Sequence, residues 1–295
     1  MRSAALLLVL CVASARADDT VPLKWSLKEG DKFFVKGVTD MDMGMTFAGQ
    51  TVDIQMKITA VQRFKVLSTK SDSTTVEMTM LSMDMTAGGA GSNIPGLGAV
   101  GERMKGAVLT AVLDENMSVT KIEGYNKFID KVAGDDDASR SLMKQQFSEA
   151  TIRQMFSQVF SFGNNKPVKV GDTWPRTEKM AVGGLDAAVK MKYKLDSVSD
   201  GIAKLGWTGD LTFKAGAALP GLPEGVKVDN FEMKVDKFGG TTKFDTKIGR
   251  MAESTQDATM NGSMTLELGG QKIDLTMKIK MKQNMNVVDK NPIKE

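Results

Sequence analysis

The sequence predicts a mainly β fold of the α+β class: a large antiparallel curved sheet or half-barrel, with pseudo-repeated halves and a helical insert. Three observations carry that expectation. Long stretches alternate apolar and polar residues, as where Phe33, Val35, Met41, Met43, Met45 and Phe47 all take odd positions. That is the period of a strand with one buried face. A hairpin is written twice, as Gly49-Gln50-Thr51-Val52-Asp53-Ile54-Gln55-Met56-Lys57-Ile58 and Gly270-Gln271-Lys272-Ile273-Asp274-Leu275-Thr276-Met277-Lys278-Ile279. Finally, the period changes once in the middle of the chain. There Leu142, Met143, Phe147, Ala150, Met155, Phe156, Val159 and Phe160 recur at helical spacing.

Taken in order, residues 1–17 read as a secretory signal peptide. Met1-Arg2 is a positive start, Ala4 to Val12 is apolar, and Ala15-Arg16-Ala17 offers a small-x-small cleavage site. The apolar run is too short to span a bilayer, and no other run is long enough. Cys11 sits inside it, and Leu10 before it does not suit a lipidation signal. A single β-rich domain is expected over 18–290, with halves at 18–124 and 167–288, a helical segment at 125–162 and a disordered tail at 291–295. The reading places the protein in the envelope or outside the cell.

The first half opens at Trp25-Ser26-Leu27 and the turn Glu29-Gly30-Asp31-Lys32, then runs up a strand to the turn Ala48-Gly49-Gln50-Thr51. Val52, Ile54, Met56 and Ile58 line the return strand. Phe64–Leu67 and Thr75–Met85 read as further strands, and the shift from Met78 and Met80 to Met83 and Met85 predicts a bulge. Gly88–Gly101 reads as a mobile glycine-rich loop. Ala107–Leu113 and Ser118–Ile122 make a hairpin. Asp135-Asp136-Asp137 sits where negative charge complements the helix that follows. The second half restarts at Val170-Gly171-Asp172-Thr173-Trp174. Gly184 and Val189-Lys190-Met191-Lys192-Tyr193 form a weaker third copy of the return strand. Strands are expected at Ala203–Trp207, Asp210–Phe213, Phe231–Val235, Thr241–Asp245 and Met251–Gln256, with a loop at Pro220–Pro223 and a closing hairpin over Met260–Met285.

These residues resemble an uncharacterised family of secreted bacterial proteins, a domain of unknown function abundant in planctomycete-like genomes. The matching elements are Trp25-x-Leu27-x-x-Gly30-Asp31-x-Phe33, Pro167-Val168-Lys169-Val170-Gly171-Asp172-Thr173-Trp174 and Gly249-Arg250-Met251-x-Glu253-Ser254. The resemblance implies no activity or binding site. Long antiparallel strands around a helix are also similar, at the level of fold alone, to the half-barrel lipoprotein carriers of the bacterial periplasm.

Composition narrows the chemistry. The chain has no histidine and one cysteine, Cys11, so a chain cleaved after Ala17 carries neither. Thiol nucleophiles, imidazole bases and the usual zinc ligands are then missing, and no disulfide can form. Removing Arg2 and Arg16 from 39 basic residues leaves 37 against 36 acidic ones, a balance that argues against nucleic acid as the partner.

Three local motifs fail on context. Gly96-Leu97-Gly98-Ala99-Val100-Gly101 matches the dinucleotide fingerprint but follows Pro95 and lacks a βαβ unit. Ser141-Leu142-Met143-Lys144 has the serine–lysine spacing of penicillin-recognising enzymes without their partner strand motif. Asp135–Asp137 lacks the alternate spacing of a calcium loop. The 22 methionines are the feature left over. Met41, Met43 and Met45 share one face, and Met78, Met80, Met277 and Met281 are candidates to join them. Their thioethers suit Cu(I), but methionine is first an adaptable apolar filler.

The expectation is therefore a protein without enzymatic activity or cofactor that binds an apolar small molecule, a lipid or a lipoprotein segment of another envelope protein. Its lining would include Met41, Met43, Met45, Met56, Met78, Met80, Met277, Met281, Phe156 and Phe160. A structural or interaction module with a packed core is the alternative. Cu(I) binding through methionine and a hydrolase using Asp, Glu, Ser or Lys are the weaker readings.

Overall fold

The computed structural model describes residues 20–47, 49–90, 97–134, 137–163, 166–182, 185–213, 226–268 and 270–293. The expected leader over 1–17, Asp135, Asp136, Gly184 and the Pro220–Pro223 loop lie outside them. Among the described residues, eleven strands make one antiparallel sheet. They are β1 (Lys32–Phe47), β2 (Gln50–Thr69), β3 (Ser73–Gly89), β4 (Val108–Asp114), β5 (Val119–Glu123), β6 (Thr173–Val182), β7 (Leu185–Ser199), β8 (Ile202–Phe213), β9 (Val226–Asp245), β10 (Arg250–Leu268) and β11 (Gln271–Val288). Among the described residues, four helices accompany them: α1 (Leu97–Met104), α2 (Tyr125–Ala133), α3 (Asp137–Gln146) and α4 (Glu149–Phe160).

The spatial order is β5-β4-β3-β2-β1-β11-β10-β9-β8-β7-β6. Two meanders, β1 to β5 and β6 to β11, thus run away from a central seam where β1 pairs with β11 from Phe34↔Val288 to Phe47↔Leu275. The two outermost strands, β5 and β6, both touch α4. A flat sheet of eleven strands spaced about 4.8 Å apart would hold its edges far from each other. The sheet is therefore curled, with α4 bridging its edges from within.

Both meanders start from the same turn. Asp31 N–H donates to Lys28 O and Asp172 N–H to Lys169 O, each at 3.0 Å. Each aspartate carboxylate accepts back from the first residue of its turn, at 2.8 Å from Lys28 N and from Lys169 N. The third residues, Gly30 (φ 88°) and Gly171 (φ 96°), hold the left-handed conformation that such a turn needs. Gly30 N–H then reaches Val66 O on β2, as Gly171 N–H reaches Leu195 O on β7. By this geometry the weaker copy, on β7, corresponds to β2. The closer sequence copy, β11, instead flanks β1 on the side opposite β2.

The predicted bulge is present: Val61 pairs with Ser82 and Gln62 with Met80, so Leu81 is skipped. Three expectations change. Leu97–Met104 is helix α1 rather than loop, held on β3 by a backbone approach so close that a Cβ on Gly101 would sit 2.1 Å from the Met83 carbonyl oxygen. Packing there outweighs the poor helix propensity of glycine. The helical segment is three helices, interrupted at Gly134 (φ 74°) and at Ser148, whose hydroxyl caps Thr151 N–H at 3.2 Å. The strands expected as short pieces between 203 and 256 are three long continuous ones, β8, β9 and β10.

The core lies between one end of the sheet and α4. Phe33 and Phe64 stack at 5.2 Å, and Phe156 and Phe160 meet Phe64 edge-on at 6.0 and 5.6 Å. Trp25 closes this group, 5.0 Å from Phe160. A second aromatic ladder crosses β6 to β9 through Trp174, Tyr193, Trp207 and Phe238, at 5.8, 6.2 and 5.2 Å. Gly240 faces this ladder because a Cβ there would meet the Trp207 ring at 3.0 Å and the Thr255 carbonyl oxygen at 1.9 Å.

Candidate functional site

The inner face changes character along the strands, row by row. At the core end it is aromatic and fully buried. Next comes a row with Gly37 opposite Ala60 and Met285, and Ser254 opposite Thr242. Then Thr39 stands beside Gln283, and Gln283 beside Gln256. Beyond that the face is apolar: Met41 lies between Met56 and Met281, Met43 between Ile54 and Ile279, and Met45 between Val52 and Met277. Met260 and Met264 continue these rows on β10 and Met233 on β9. These methionines on β1, β2 and β11 are half-buried.

Two cavities open on either side of α4. One, of about 230 Å³, lies against β1, β2, β3 and β11, where Gly37, Met80, Met83, Phe147, Met155 and Met285 form much of its apolar wall. Its polar lining is Thr39, Gln62, Gln158 and Gln283, and none of its lining residues is charged. The other, of about 60 Å³, lies against β6 to β11 and includes Gln154, Gln158, Tyr193, Thr242, Ser254 and Gln256. Gln158 and Met285 line both. α4 thus carries its buried stripe of Ile152, Phe156, Val159 and Phe160 into the core and presents glutamines to the spaces beside it.

The second cavity holds the titratable groups of this interior. Glu178 lines it and pairs with Arg176 at 2.5 Å. Tyr193 donates to the Met191 sulfur at 3.6 Å. Burial holds the Tyr193 phenol well above its usual range, the Glu178 carboxylate adds to that rise, and the Arg176 guanidinium opposes it. Tyr125, at the start of α2, is raised by burial and then by Glu149.

The ten residues singled out from sequence divide into two groups. Phe156, Phe160 and Met78 lie in the packed core, each no more than 1% exposed. Met80 is as buried and lines the larger cavity. Met41, Met43, Met45, Met56, Met277 and Met281 lie together on the apolar rows beyond the cavity. Met78 and Met80 do not join Met41, since β2 intervenes. The glutamine belt went unnoticed in the sequence. Its signal was that Gln62, Gln256 and Gln283 occupy inward positions of otherwise apolar or small-residue alternations.

The other motifs take ordinary places. Ser141 and Lys144 are exposed on α3 and Met143 is buried. Gly98 and Gly101 lie within α1, not at a strand-to-helix turn. Among the described residues, no three His, Cys, Asp or Glu side chains converge as a metal site. No helix among them is long and apolar enough to cross a membrane.

The outer face has the opposite polarity. Asp40 pairs with Lys57 and Lys282, and Lys282 with Asp257, which meets Lys237 at 3.1 Å. Asp42 faces Lys280, and Lys243 meets Glu253 at 2.7 Å. A membrane-spanning barrel needs an apolar outward band and a polar interior; these middle strands have the reverse.

Several solved structures show slight likeness. The lipovitellin structure titled for its lipid–protein interactions has a TM-score of 0.48 at 8% identity, covering 92% of this chain and 26% of that one, so this chain spans about a quarter of its length. An outer membrane channel from Pseudomonas putida F1 gives a TM-score of 0.23 at 7% identity, covering 90% and 97% of the two chains. A DUF1329 family protein from Desulfovibrio piger gives 0.14 at 9%, covering 90% and 88%. Likeness at this level carries neither function nor fold from one protein to the other. No curated protein matches the sequence. The model of a family of unknown function, DUF6263, matches residues 49–249, and the chain belongs to that family.

Proposed function

We propose that this protein is a non-enzymatic binding protein of the envelope or extracellular space that holds an apolar or amphipathic small molecule, such as a lipid, inside its curled sheet. The observation that carries this reading is the uncharged cavity of about 230 Å³ beside α4, which leads into half-buried methionine rows. An apolar cavity with a few polar groups is the usual form of a small-molecule site. Methionine suits such a wall because its unbranched, polarisable side chain adapts to ligand shape. The chain's lack of histidine, and of any cysteine beyond Cys11, supports a binding role over catalysis. The leader read from residues 1–17 supports the location.

The test is direct. The purified chain is titrated with the apolar dye N-phenyl-1-naphthylamine, and its organic extract is analysed by mass spectrometry. Saturable dye fluorescence that is displaced by long-chain lipid is the expected result. No dye binding together with no retained small molecule would reject the reading and leave a packed structural module.

A further inference from the structure

We infer that the site selects an uncharged amphipath: a long-chain lipid whose head carries hydroxyl, ester or amide groups. The glutamine belt receives the head, and the methionine rows receive the chain. This rests on the binding reading above and names the ligand class for that site.

The first support is electrostatic. Thr39, Gln62, Gln158 and Gln283 are the polar groups of the larger cavity, and no cation or anion stands among its lining residues. An anionic head entering it would shed water without meeting a countercharge, and a cationic head would do the same; both are strongly unfavourable. A carboxamide offers one acceptor oxygen and two N–H donors, so it matches ester carbonyls and hydroxyls alike. Gln62, Gln158 and Gln283 are half-buried. Purely for folding, apolar side chains at these inward positions would serve better, because a polar group partly stripped of water costs free energy until it is paired.

The second support is dimensional. Thr39 and Gln283 sit in one row, and Met41 with Met281 forms the next. From Met41 to Phe47 the strand advances six residues, about 20 Å at roughly 3.3 Å per residue. One leaflet of a bilayer core is about 15 Å deep. An acyl chain lying along β1 from the belt therefore stays on apolar side chains for its whole length. The cavity itself has room for the head and the first few methylenes only, so the chain must follow these rows.

The test compares ligands of matched chain length by displacement of N-phenyl-1-naphthylamine from the purified chain. Monooleoylglycerol is expected to displace the dye at a concentration at least ~10-fold lower than oleyl phosphate. Replacing both Gln158→Leu and Gln283→Leu should weaken monooleoylglycerol about 10-fold relative to the dye's own affinity for that variant, with far-UV circular dichroism and a cooperative urea transition reporting that it is folded. Gln283→Arg should reverse the preference toward oleyl phosphate. Equal affinities, tighter binding of oleyl phosphate by the unsubstituted chain, or a preference unaltered by the substitutions would overturn the inference while leaving lipid binding intact. Failure to bind dye and both lipids would instead reject the binding reading itself.

Discussion

Gly37→Val separates a cavity kept for a ligand from one left by imperfect packing. Gly37 lies on the inner face of β1 and lines the 230 Å³ cavity. A Cβ built there meets only the Met285 Cγ, at 3.9 Å, an ordinary contact. Its φ is not in the left-handed region, so valine brings no backbone strain. Three added carbons at about 0.8 kcal/mol per buried methylene contribute roughly 2 kcal/mol. Restricting the unfolded chain adds ~0.5 kcal/mol, and freezing the new side chain offsets about that much. The net expectation is a stability gain of about 2 kcal/mol, read from urea denaturation at unchanged m-value. Ligand affinity should fall at least ~10-fold in the same variant, because the added carbons fill the space a ligand would take. A destabilised variant would refute the packing geometry. A stabilised variant that still binds lipid normally would refute the assignment of this cavity as the site.

Phe64→Ala should cost about 3–5 kcal/mol of stability by calorimetry or urea, since the ring is fully buried among Phe33, Phe156 and Phe160. Gly101→Ala should destabilise by roughly 1–3 kcal/mol, because its Cβ would lie 2.1 Å from the Met83 carbonyl oxygen and α1 must shift off β3. Asp31→Ala and Asp172→Ala should each cost ~1 kcal/mol, within error of one another, as each removes the same side-chain acceptor from an equivalent turn. Stability should also fall as pH rises above 10. Burial first holds the folded pKa values of Tyr193 and Tyr125 above the ordinary phenol value of about 10. The folded chain therefore keeps protons there that the unfolded chain releases, and the contribution, complete below pH 10, is lost as pH climbs toward the folded values. Tyr193→Phe should flatten most of that slope. These are the two tyrosines of the chain, so phenolate absorbance of the native protein should lag behind that of the urea-unfolded one.

Alternation was enough to find β1, β11 and the first part of β2, and even the skipped Leu81, because one buried face imposes a period of two that a single extra residue visibly breaks. It split β2, which runs unbroken from Gln50 to Thr69, at Thr59–Arg63. It failed across β8, β9 and β10, where Gly206, Gly209, Gly239, Gly240 and Gly262 look like interruptions. There the missing Cβ atoms make room for neighbours: Phe238 against Gly209 and Trp207 against Gly240. Helix α1 was hidden for a related reason, since its Gly101 matters to β3 and not to its own helix. The methionine rows were legible as a face, but their separation from Met78 and Met80 depends on strand order, which no local pattern encodes. A curved sheet with a helical insert was expected, but not that its two edges are β5 and β6 and that both meet α4, because edge identity follows from strand order. The belt of Gln62, Gln256 and Gln283 was visible in principle as polar residues in inward phase, yet single glutamines among apolar neighbours read as noise until the rows align them.

The seam between β1 and β11 gives this protein an unusual clock. β1 can pair with β2 within moments of both being made, but its other edge must wait for the last strand of the sheet to leave the ribosome. Until residues 271–288 arrive, the centre of the future sheet is a bare edge, bordered by Met41, Met43 and Met45. Unpaired edges of this kind invite pairing with other chains, and closures between distant parts of a sequence are slow. The middle of the molecule is thus the last part to form. Its safe passage depends on how long a nascent chain can be kept from its neighbours. In such a chain the rate of synthesis becomes a determinant of yield, and a truncation of only the final strand would leave two separate meanders with no common centre.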